Sequence, residues 1–231
     1  MIIVDEINLE AINIWEKTFS ETDDVYMPQV YGEIHKHSLL FIGLNPSFSS
    51  NGFRSIFKET KFSTLNPIDF FHWSNKENYS IEVAKEIERL ARDKYPYYRK
   101  FKELSLDTTM AWEYIDLFFH RETNQNQFKQ KIYSGNRLND FGERQIELSN
   151  LLLNEIAPEI IVVANAFASQ LFVKTFGAKF DDRLGYHLTK LKNNKIIPTF
   201  LASMFTGQRA MDVYSYQRLC WQVKTAAYRL K

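Results

Sequence analysis

Residues 38–53, SLLFIGLNPSFSSNGF, open on an apolar run, 39–44, that stops at Asn45-Pro46 and gives way to small polar residues. The run is too short for a helix and Asn-Pro starts turns, so the stretch reads as a buried strand feeding a polar loop. In an open parallel sheet, ligands sit just beyond the carboxyl ends of the strands. A strand of this kind sets Gly43, Leu44, Asn45 and Ser47 along a crevice, and Phe48 and Phe53 are the nearest rings that follow. The same pattern also suits a plain strand and its turn with no chemistry there.

Three further runs read as strands: 111–119 (AWEYIDLFF), 159–164 and 196–201. Helical spacing marks 8–19, 80–91 behind the N-cap Ser80, a piece from Pro96 to Leu104, 141–156, 166–176 behind the N-cap Asn165, and about 209–230. Strands separated by helices imply a parallel sheet with right-handed crossovers. The expected fold is therefore α/β, a three-layer α/β/α sandwich around about four strands, with residues 1–231 as one domain. The long stretch 47–78 is functional or carries short helices of its own. The segment from Arg121 to Asp140 is polar and reads as loop or surface, and 183–191 is ambiguous. The glycines form neither GxGxxG nor a Walker loop, which argues against dinucleotide binding and nucleoside triphosphate hydrolysis.

With 231 residues, 45% hydrophobic and 15% aromatic, the chain can bury a full core. It shows no run of ~18 apolar residues and no basic-then-apolar leader, so the expectation is a cytoplasmic protein without a membrane span. The single cysteine, Cys220, excludes an intrachain disulfide and a cysteine-built zinc site; among Leu219, Trp221 and Val223 it reads as a packed thiol. The five histidines form no metal-ligand spacing with carboxylates, and neither a metal nor a cofactor is assigned. The net charge is +1, unevenly spread. Residues 1–24 hold seven acids against Lys17, while 89–102 hold six basic residues against Asp93, with Tyr95, Tyr97 and Tyr98 interleaved. Such a basic and aromatic segment suits a phosphate backbone or a solvated helix face.

Three places, in order, give the chain a likeness to a known family. GLNPS, Gly43 to Ser47, is similar to the G-[IM]-N-P-G of the mismatch-specific and single-strand-selective branches of the uracil-DNA glycosylase superfamily. WEYIDLFF resembles that family's second strand, and LAS, Leu201 to Ser203, lies where the family has His-Pro-Ser. The chain departs from the family at Ser47 in place of the last glycine, at Asp116 in place of a base-reading asparagine, and at Leu201-Ala202 in place of His-Pro. The resemblance implies a DNA base-excision glycosylase, a DNA-repair hydrolase that flips a uracil or a deaminated or modified base and cleaves its N-glycosidic bond. It implies DNA as partner, a monomer, Asn45 and Ser203 as catalytic residues with Asn45 holding the water, and Gly43, Leu44, Ser47, Phe48, Phe53 and Asp116 around the base.

Breaking that bond leaves an oxocarbenium-like sugar and an anionic base, which calls for an oriented water and donors where negative charge develops. The Asn45 carbonyl can accept from a water and fix it, an effect of orientation. Donors are expected from backbone N–H groups near 43–47 and from a helix beginning after Ser203. Asp116 suits the N1–H and amino edge of a guanine-like base, or is a core carboxylate with a partner. The turn 203–209, SMFTGQR, offers Met204 or Phe205 as a wedge, with Thr206, Gln208 and Arg209 toward DNA, or is an ordinary connection. Parallel strands deliver their carboxyl ends to one edge, so Asn45, Asp116 and Ser203 are expected to converge. Two other classes compete: a non-catalytic nucleic-acid or nucleotide binder on the same fold, and a hydrolase of free nucleosides.

Overall fold

The four apolar runs lie in one sheet, in a computed structural model that describes residues 2–207 and 210–230. In chain order the elements are α1 (Ile2–Thr18), β1 (Leu39–Gly43), α2 (Ser50–Phe57), α3 (Pro67–Phe71), α4 (Ile81–Lys94), α5 (Arg99–Thr108), β2 (Trp112–Asp116), α6 (Gln125–Ile132), β3 (Tyr133–Ser134), β4 (Arg137–Leu138), α7 (Asp140–Ile156), β5 (Ile160–Ala164), α8 (Ala166–Phe176), β6 (Lys179–Asp181), β7 (Tyr186–Lys190), β8 (Ile196–Ala202) and α9 (Val213–Arg229). They group into two compact units.

One unit comprises Ile34–Leu44, Pro96–Leu117 and the chain from Leu152 onward, and holds the six-stranded sheet in the order β2-β1-β5-β8-β7-β6. The first four strands are mutually parallel, and β7 and β6 add antiparallel at the β8 side. All five residues of β1 and of β5 are buried, the continuous apolar run of strands covered on both faces. On one face Leu39, Phe41, Tyr114, Ile160, Val162 and Phe200 pack with Phe101 and Leu104 of α5 and Leu219 and Val223 of α9. The alternate residues Leu40, Ile42, Ile115, Ile161 and Val163 are buried as well. From α8, Ser169 Oγ reaches the Val163 carbonyl at 3.4 Å and the Ala202 carbonyl at 3.2 Å. The fold is α/β with a mostly parallel sheet, compatible with a three-layer α/β/α arrangement.

The other unit runs up to Glu33 and adds Asn45–Tyr95 and Phe118–Leu151. It is helical apart from the β3–β4 hairpin. Its core gathers Val30, Phe53, Phe57, Phe62, Phe71, Ala84 and Ile87, so the aromatics of the 47–78 stretch are mainly core, carried by α2, α3 and a 3-10 turn over Trp73–Asn78.

Two segments differ from the reading of the sequence. The 121–140 stretch is not only loop, since α6 starts behind the N-cap Asn124 and buries just Phe128 and Ile132; two apolar residues in eight leave little periodic signal. The ambiguous 183–191 forms most of a β6–β7 hairpin closed at Gly185, whose φ of 75° suits a residue without Cβ. Only Thr189 of β7 is buried, so the strand lacks the alternation that reveals one. Among the described residues no helix is long and apolar enough to cross a membrane.

Candidate functional site

Asn45 sits in the helical unit, in the turn after β1, where the following proline disfavours helical backbone and starts the loop. Its Nδ2 donates to the carbonyls of Glu122 at 2.7 Å, His120 at 3.2 Å and Pro46 at 3.3 Å. Three carbonyls around one end settle which end is the NH2, because only the NH2 donates. Among the described residues no hydrogen bond engages Oδ1, and the side chain is half-buried. One end of the amide is locked into the frame while the other remains a lone acceptor, the arrangement needed to hold a water.

The frame is itself well tied. Glu122 N donates to the Pro46 carbonyl at 3.1 Å, and Thr123 Oγ1 pairs with both the N–H and the carbonyl of Phe48. Behind it, buried Gln145 accepts from the N–H groups of Phe119 and His120 through Oε1, both at 2.9 Å, and donates through Nε2 to the Phe141 carbonyl. Arg121 is buried, donates to the Met27 carbonyl, pairs with Glu88 and stacks over Phe71. Sequence reasoning missed Gln145 and Arg121; a lone glutamine on a helix and a charge in a polar run carry no signal until the chain folds.

His120 lies in an aromatic box of Trp15, Phe19, Phe128 and Phe141. Among the described residues neither ring nitrogen has a hydrogen-bond partner, and burial, helped by the charge of Lys131, pushes its pKa down to about 4. At neutral pH it is an uncharged core ring.

Of the two expected stacking rings, Phe48 is half-buried and tilted on Tyr26 at 4.4 Å between centroids. Burial, and then the charges of Asp24 and Glu122, push the Tyr26 hydroxyl pKa up. Phe53 instead packs on Phe57 at 4.3 Å inside the core, a correction to its reading as a base contact. Ser47 is exposed.

Gly43 and Asp116 belong to the sheet unit and are register partners across β1 and β2. A Cβ on Gly43 would stand 2.1 Å from both Asp116 Oδ1 and Tyr114 Oη, so glycine is demanded here by the pair beside it. Tyr114 donates to Asp116 at 3.1 Å and lies 3.2 Å from the Tyr97 hydroxyl, and Asp116 is only 2% exposed. Burial and then the Asp116 charge hold the Tyr114 pKa well above the usual phenol range. Asp116 is thus a core carboxylate with a tyrosine partner rather than an open reader of a base edge. Leu44 is buried.

Ser203 is half-buried just past β8. Phe205 is buried, stacked on Phe101 at 4.8 Å, and Lys100 Nζ donates to its carbonyl at 2.8 Å; it is core, not a wedge. Met204 and Thr206 are half-buried, whereas Gln208 and Arg209 lie outside the described residues. Among the described residues no helix begins right after Ser203. The last one starts at Val213, and its first N–H groups, Tyr214 and Ser215, are already taken by the Asp212 carboxylate. Asn45 therefore lies in one unit and Asp116 and Ser203 in the other.

The basic segment is likewise divided, between Tyr95 and Pro96. Within it Arg89 pairs with Asp93, Arg99 with Glu103, and Lys100 sits over Tyr216. Among the described residues no group of three or more His, Cys, Asp or Glu is placed to hold a metal ion. No family model matches the chain, and no curated protein matches it.

Proposed function

We propose that the protein is a uracil-DNA glycosylase-like hydrolase of N-glycosidic bonds, acting on a deaminated or modified base extruded from DNA. The observation that carries the reading is the Asn45 amide, whose NH2 is spent on three backbone carbonyls while Oδ1 is left as an acceptor. Its chemistry is orientation: Oδ1 accepts from a water and aims it at the anomeric carbon, and no side-chain base is required when the bond is largely broken first. The GLNPS motif and four parallel strands in the anticipated places support the same reading. Phe48, half-buried in the same unit as Asn45, is the ring this reading assigns to stack on a base.

The test is incubation with single strands and duplexes carrying one uracil, hypoxanthine, xanthine or mispaired thymine, followed by detection of abasic sites. Release of one of these bases by the wild type and its loss in Asn45→Ala, with DNA affinity kept, is the expected result. Binding without any release selects the second reading, a non-catalytic nucleic-acid binder, which is favoured by Leu201-Ala202 where the family has His-Pro. Neither binding nor release refutes both.

A further inference from the structure

The stretch 118–124 is neither helix nor strand, yet two of its carbonyls, those of His120 and Glu122, have to aim at one nitrogen, Asn45 Nδ2. Irregular backbone keeps such a direction only where locked side chains tie it down. Gln145 holds the N–H groups of Phe119 and His120, on the near side of the two carbonyls. Arg121 is the residue between them. Its guanidinium is fixed in three directions: Nε donates to the Met27 carbonyl at 3.1 Å, Nη2 pairs with Glu88 of α4, and Cζ lies 4.7 Å from the centre of the Phe71 ring.

This ion pair is buried, with the side chains of Arg121 and Glu88 only 6% and 15% exposed. Taking two charges out of water is costly, and apolar side chains of similar volume hold a core as well or better. Phe71, under the guanidinium, and Ala84 and Ile87, on the helix that carries Glu88, already belong to such a core. Stability is therefore no account of the pair. A planar fork with donors at fixed angles supplies direction, which an apolar side chain lacks. We propose that Arg121 is a positioning residue for Asn45. Held by Glu88 and Met27, it fixes the chain between the two carbonyls so that both converge on Nδ2 and Oδ1 is presented to the water. This rests on the reading of Asn45 as the residue that holds the water, and gives Arg121 no contact with DNA or base.

The test replaces the pair by apolar residues in the full chain. Arg121→Met with Glu88→Leu removes both charges together, so neither is left buried alone, and chemical denaturation should find the double variant at least as stable as the wild type. The Asn45 NH2 signals, identified in an amide NMR spectrum by their absence from Asn45→Ala, should nevertheless exchange with water roughly tenfold faster than in the wild type. In base-release assays kcat should fall by about tenfold to a hundredfold with KM unchanged, because a misplaced water is felt in the transition state and not in holding the DNA. Arg121→Lys keeps the charge opposite Glu88 but not the fork; it should move both readouts the same way, and serves where the double variant is misfolded. A wild type that releases no base refutes the glycosylase reading, and the exchange of the Asn45 amide then decides on Arg121 by itself. Unchanged exchange in a folded variant, faster exchange that only tracks a loss of global stability, or faster exchange with kcat intact overturns the proposal.

Discussion

The two ends of the Asn45 amide do different work, and substitutions can separate them. Asn45→Ala removes the donor from the carbonyls of Glu122, His120 and Pro46 and should cost about 1–3 kcal/mol of stability as well as activity. Asn45→Asp keeps the shape but sets a carboxylate against three carbonyl oxygens, so chemical denaturation at pH 7 should find it less stable than the alanine variant. Equal stability of the two would mean that the clamp contributes little. His120 gives a second residue-scale prediction, in pH. Its folded pKa of about 4 lies below the ordinary 6.5, so between these values the unfolded chain binds a proton that the folded chain refuses. Stability should therefore fall as pH drops from 6.5 to 4, by roughly 3 kcal/mol from this residue, and level off below. His120→Phe, which suits the surrounding rings, should flatten that window; an unchanged slope in the variant would assign the acid sensitivity elsewhere.

At the scale of elements, β1 and β2 end side by side at a glycine that has no room to be anything else. Gly43→Ala drives a methyl group into Asp116 Oδ1 and Tyr114 Oη, both core groups, so either the Tyr114–Asp116 bond breaks or the strands part. We expect a loss of about 3 kcal/mol, seen as a lower thermal midpoint. Tyr114→Phe should recover part of it in the double variant, because removing the hydroxyl relieves one of the two closest clashes and leaves Asp116 Oδ1 and the Tyr114 ring carbon Cζ. No recovery would show that those two remaining contacts decide the fit. The helices end where their caps dictate: Ser80 Oγ accepts from Val83 N and Asn165 Oδ1 from Phe167 N and Ala168 N, each satisfying donors that the first turn leaves open.

For the whole molecule, a net charge of +1 gives no long-range pull on DNA, and several cations of 89–102 already have partners. Any DNA affinity should still fall with salt, since each neutralised phosphate releases counterions with a slope near −0.9 per contact. With Arg89, Arg99 and Lys100 already engaged, the share of the slope from the 89–102 segment should correspond to a handful of phosphates. Fluorescence anisotropy of a labelled duplex from low to moderate salt measures it. Affinity that stays constant over that range would remove phosphate contacts from the binding surface.

Strand positions, helix caps and the Asn45 turn were legible in the sequence because each rests on near neighbours. An apolar run of five or six residues, a Ser or Asn before a helical pattern, and Asn-Pro after a strand act locally, and the four parallel strands lie within three residues of where those signals put them. The β7 strand and α6 escaped because a mostly unburied strand and an eight-residue helix with two buried positions lack the periodicity that burial imposes. What each singled-out side chain does was decided only by tertiary structure. Phe53 and Phe205 became core, Asp116 acquired Tyr114, Gly43 proved to be a matter of space, and Gln145 emerged as the support of the Asn45 frame. The reason is physical: hydrogen-bond partners and burial come from residues tens of positions away, and no local pattern records which of them the fold will bring within 3 Å.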